Sequence, residues 1–121
     1  MLNSSHEDAE VLEQLLKLNE RTFANSHYEA AYHALSAAMH YARDVNHSAY
    51  LDKISQVARE QSELIDTDTP QSEMSSQSTF AQQGKNLYHM LAQQAHTHIH
   101  VLELQRFKAS DQNKSAWEDR L

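Results

Sequence analysis

The side chains best placed for chemistry in this sequence are His89, His96 and His100. Steps of seven and four residues return to nearly the same angle on a helix, so the three imidazoles share one stripe, and Glu103 continues it. His96 and His100 form an i, i+4 pair, the spacing by which two imidazoles grip one divalent ion such as zinc or nickel. His89, or a group from another helix, would supply the third ligand. A stable site would also need neutral imidazoles oriented by further hydrogen bonds. The plainer expectation is that this stripe lies opposite the apolar face of its helix and is solvated.

The chain holds nine histidines, and two more of them, His33 and His40, share a polar face with Glu29 and Asp44. Both stripes oppose the apolar faces of their own helices, so they should point outward and away from each other. Carboxylate di-iron bundles need inward-pointing Glu-x-x-His motifs, and none occurs here. His98 differs, because it falls among Leu91, Val101 and Leu102. A neutral, hydrogen-bonded core imidazole is expected there, and burial would tie its protonation to stability. Other chemistry is missing. There is no cysteine, a single glycine excludes a phosphate-cradling loop, and neither Gly-x-Ser-x-Gly nor His-Glu-x-x-His occurs. An enzyme is therefore the weaker expectation.

The elements that would hold these residues are helices. One glycine and one proline in 121 residues leave no punctuation for the tight reversals of a sheet. Four stretches repeat apolar residues every three to four positions. A first helix is expected over 7–24, with Val11, Leu12, Leu15, Leu16 and Phe23 inward. A second spans 27–45, with Tyr28, Ala31, Leu35, Ala38, Met39 and Ala42. A third covers 49–65, with Tyr50, Ile54, Val57, Ala58, Leu64, Ile65 and one polar intruder, Gln61. A long fourth covers 80–108, with Leu87, Met90, Leu91, Ala95, Val101 and Leu102. Ser4 with Glu7, Ser26 with Glu29 and Thr79 with Gln82 have the spacing of capping boxes. Asn46 suits a left-handed helix end, and Ser48 suits the cap that follows. Residues 66–78 read as a solvated linker and 109–121 as a polar tail. The fold class is all-α: an antiparallel bundle of four main helices in a single domain over 1–121.

The run FANSHYEAAYHALSAAMHYA is similar to the second half of a tetratricopeptide repeat. Tyr28, Ala31, Leu35 and Ala38 match its aromatic, small and large apolar positions, and the match covers about residues 12–45. The resemblance implies a helical hairpin of that geometry over the first two or three helices, with protein binding as the usual role. Asn19 stands where the family favours a small residue, and Arg43 where a proline often ends the unit. No second copy follows.

Charge narrows the partners. Ten Lys and Arg against seventeen Asp and Glu give a net charge of −7, which repels phosphate backbones and anionic lipid. Neither nucleic acid nor a membrane is expected as a partner. No stretch approaches the ~18–20 apolar residues of a membrane span, and MLNSSHEDAE lacks a secretory start, so a cytoplasmic location is expected. A protein-interaction or scaffold module, most simply self-associating, accounts best for the alanine-rich hairpin and for Tyr32, Tyr41 and Trp117 as candidate contact aromatics. A histidine-based metal-binding protein is the alternative, and a binder of some small ligand is a third.

Overall fold

Each of the four apolar stripes becomes a helix. The computed structural model describes residues 2–75 and 86–118, with side chains at 6–75 and 86–109. Its elements are α1 (Leu2–Ala24), α2 (Tyr28–Asp44), α3 (Ser48–Asp68) and α4 (Leu87–Glu118), with no strand among the described residues. α1 packs chiefly on α2 and α3 chiefly on α4, while α2 touches all the others. Asp8 meets Tyr41 and Asn19 meets Ala31, so α1 runs antiparallel to α2. Glu13 meets Tyr50 and Asn19 meets Gln61, so α3 returns to the direction of α1. Tyr88 sits at Tyr28, and His98 lies near His40 and Arg43, so α4 follows α2. The bundle is therefore up-down-up-down.

The core draws on every helix: Leu12 and Leu16 from α1, Leu35 and Met39 from α2, Leu51, Ile54 and Ile65 from α3, Tyr88 and Leu91 from α4. Alanines fill the gaps between them, at 38, 42, 58, 92 and 95. Such small residues allow close approach of neighbouring helices. On α3 the expected stripe holds at Ile54, Ala58, Gln61 and Ile65 and is widened, whereas on α4 it is rotated. On α3, Leu51 and Ser55 are buried while Leu64 is exposed. On α4, Tyr88, Leu91, Ala92 and Ala95 form the buried seam, and the expected Met90 and Val101 face solvent.

The helix starts also differ. Ser4 lies inside α1, which begins at Leu2, rather than ahead of it. Ser26 is not the cap of α2. It adopts φ 63, and His27 precedes the helix without a side-chain cap bond. The amide of Ser26 donates to the Phe23 carbonyl and that of His27 to Thr22, the paired bonds of a Schellman helix end. The α2–α3 turn repeats this arrangement. Asn46 takes φ 56 as expected, its amide donates to Arg43, and that of His47 donates to Ala42. Here His47 rather than Ser48 caps α3, its Nδ1 accepting from the Tyr50 amide at 3.3 Å. The Thr79–Gln82 box lies outside the described residues. Of the stretch expected to be a solvated linker, 66–68 extend α3, and Ser75 is fully buried with its Oγ donating to Asp66 at 3.1 Å. Of the expected polar tail, the backbone through Glu118 is helical.

Two polar side chains deep in the bundle find each other. Asn19 is fully buried, and its Nδ2 donates to the Ala31 carbonyl at 2.8 Å and to Gln61 Oε1 at 3.0 Å. Gln61 Nε2 donates back to Asn19 Oδ1 at 2.7 Å. Asn19→Ala would leave the Gln61 amide buried without partners, a loss of about 1–3 kcal/mol. A urea titration showing no change in midpoint would contradict this account. Ser26→Gly should act in the opposite sense. A non-glycine residue in the left-handed region costs roughly 1–2 kcal/mol, so the midpoint should rise, less the flexibility that glycine adds to the unfolded chain.

Candidate functional site

α4 carries most of the candidate chemistry, and its first turns are pinned firmly. Tyr88 is fully buried, and its hydroxyl donates to the Tyr28 carbonyl at 2.6 Å. Its ring meets Phe23 at 6.4 Å and Tyr32 at 5.8 Å, both edge-on. Phe23 in turn packs against Tyr28 at 5.1 Å. Burial pushes the Tyr88 phenol well above its ordinary pKa, so it serves as a neutral donor. One helical turn on, the Ala92 carbonyl accepts from buried Ser55 Oγ at 3.1 Å, tying α4 to α3. The sequence pattern passed over Tyr88. The signal was present, since 88, 91/92, 95 and 99 keep a seam spacing that Leu87 and Met90 break.

This anchoring decides where the candidate ligands point. His89, His96, His100 and Glu103 are all exposed. His89 Nε2 lies 3.2 Å from Gln93 Nε2, one turn along the same helix. His33 and His40 on α2 are exposed too, with His33 at 3.8 Å from Glu29. Among the described residues no three His, Asp or Glu side chains gather closely enough to hold a metal ion.

Two of the three candidate contact aromatics are partly buried. Tyr32 is half-buried, wedged between Tyr88 and His33. Tyr41 is also half-buried, and its hydroxyl donates to Asp8 Oδ1 at 2.7 Å, which holds its pKa above the ordinary phenol value. The Trp117 side chain lies outside the described residues. Exposed large apolar side chains lie elsewhere, singly at Leu18 on α1 and Leu64 on α3 and as a run on α4. Beyond Leu102, every side chain from Glu103 to Ala109 is exposed although the backbone stays helical to Glu118. Val101 is 42% exposed, Leu104 47% and Phe107 71%. Steps of three residues keep these on adjoining strips of one helix face. The polar composition around them concealed this surface in the sequence.

Two electrostatic contacts make the bundle sensitive to acid. His98 is half-buried beside α2, and burial first, then the charges of Arg43 and His40, holds its pKa below the ordinary 6.5. The unfolded chain therefore binds a proton at this residue before the folded one does, and stability must fall as pH drops from about neutral through 6.5. Glu13 accepts the Tyr50 hydroxyl at 2.7 Å and lies 3.8 Å from Lys53 Nζ. The tyrosine bond chiefly, with help from Lys53 and Lys17, holds its carboxyl below 4.5, so a second loss sets in as pH falls beneath that value. Thermal melts from pH 8 to 3 should show both steps. His98→Gln should flatten the first and leave the second; an unchanged profile would show that His98 is not responsible.

No helix among the described residues is long and apolar enough to cross a membrane. No family model, curated protein or solved structure matches this chain.

Proposed function

We propose that this chain is a small helical protein-interaction module that self-associates through the free face of α4. The supporting observation is Phe107, a large aromatic 71% exposed on a helix that has left its own bundle. Leu104 lies one turn before it and Val101 one turn before that, and both are about half exposed. Lone exposed apolar residues need no explanation, whereas a run of them on one element marks a contact surface. An isolated stretch of helix is marginal in water, so a partner that covers these side chains would also stabilise the extension.

In this reading α1 and α2 form the scaffold, a tetratricopeptide-like hairpin whose alanine-lined contact keeps the two helices close. The absence of any recognised catalytic motif agrees with a role in binding. The test is oligomeric state. Sedimentation at tens of micromolar should show a dimer or larger species, and Leu104→Ser with Phe107→Ser should convert it to monomer. Because both positions are exposed, the isolated fold should change by less than about 0.5 kcal/mol. A wild-type chain that stays monomeric up to millimolar concentration overturns the proposal.

A further inference from the structure

Between α3 and α4 runs a groove of about 470 Å³ whose lining contains no acidic residue. In a chain of net charge −7 that is a local reversal of sign. The groove at the start of α2, by contrast, carries Glu29 and Glu73, and the one on the outer side of α3 carries Glu60 and Glu63. Arg59 stands on the α3 wall, His89 and His96 on the α4 wall with Gln93 between them, and Ser55, Ala92 and Thr97 complete the lining. Arg59 makes no ion pair among the described residues, whereas Arg43 and Lys53 do.

We propose that this groove binds a carboxylate anion. The guanidinium of Arg59 offers two parallel N–H donors matched to the two oxygens of a carboxylate, the pairing in which arginine exceeds lysine. The His96 imidazole and the Gln93 amide, one N–H of which is engaged with His89 Nε2 at 3.2 Å, stand on the opposite wall, so a bound carboxylate meets donors from both helices. The walls are held in place from beneath, since Ser55 Oγ donates to the Ala92 carbonyl and fixes the α3–α4 spacing at that level. The grooves carrying Glu29 and Glu73 or Glu60 and Glu63 repel such a ligand, and the adjoining one lined by Met90, Gln93, Gln94, Thr97 and His98 offers no guanidinium, so binding should centre on Arg59. A small free polycarboxylate and a glutamate-rich protein segment present the same group.

The experiment is a titration of the full chain with citrate and, separately, with a hexaglutamate peptide, at fixed pH and ionic strength, followed by NMR. The Arg59 side-chain signal and the His89 and His96 ring signals should shift together and saturate, while those of His33 and His40 stay in place. Arg59→Gln should weaken binding at least tenfold, Arg59→Lys should fall between, and Arg43→Gln should have no effect. Stronger binding of the peptide than of citrate identifies an acidic protein segment as the source, and the reverse identifies a small polycarboxylate. Shifts spread over all the histidines, shifts that persist in Arg59→Gln, or no shift by tens of millimolar citrate would each overturn the proposal. Because the groove lies away from Leu104 and Phe107, a failure of self-association leaves this result intact.

Discussion

The amide pair of Asn19 and Gln61 is the constraint around which the bundle is arranged. Helices that meet through alanine and leucine can slide past one another by a turn and still bury similar area. A buried amide cannot. Asn19 engages the backbone of α2 at Ala31 and the side chain of α3 at Gln61 together, so any slip strands polar atoms away from water. Buried Ser55 and Tyr88 do the same for the second hairpin, each donating to a carbonyl of a neighbouring helix. Every buried side-chain nitrogen and oxygen among the described residues is matched. Apolar burial supplies the driving force, and these contacts select one register.

The helices themselves were legible because their apolar periods are strong and the chain contains almost nothing that breaks a helix. Gln61 stood out in the sequence as a polar residue on a core stripe. Its partner did not, because Asn19 lies 42 positions away and only the packing of α1 on α3 joins them. The turns misled for a different reason. A Ser-x-x-Glu spacing is common in polar sequence, and at Ser26 a different need prevails: the chain must reverse with a left-handed residue where no glycine is supplied. On α4 the error was one of phase. Apolar residues occur on more than one side of it, so the period alone could not say which side faces inward until Tyr88 found the Tyr28 carbonyl.

The histidines show how far residue type is from role. On α2 and α4 most of them occupy outward faces, where the scaffold neither desolvates them nor gathers them into a ligand set. Two are drawn into the structure. His47 ends one helix and begins the next, with its ring 4.6 Å from Tyr50 and its Nδ1 accepting the Tyr50 amide in the first turn of α3. His98 is held half-buried beside Arg43 and His40 of α2, where burial first and then those two groups oppose protonation. Neither position differs in type from the other histidines; what separates them is the backbone turn in one case and the neighbouring helix in the other.

The exposed end of α4 follows from unequal helix lengths. α2 has 17 residues and α4 has 32, so at 1.5 Å per residue they span about 26 Å and 48 Å. The two run in the same direction from a shared origin where Tyr88 meets Tyr28. α2 is therefore exhausted near the level at which α4 reaches Leu102, the last partly buried residue of the seam. Past that level α2 offers α4 nothing to pack on, and the described side chains from Glu103 to Ala109 all face water or another molecule. A chain that needed only to fold could end its last helix there, or continue it with polar residues throughout. This one places a leucine and a phenylalanine at the first two positions a turn apart beyond its own core, which is why the free face of α4 is the part of the surface that its own folding does not explain.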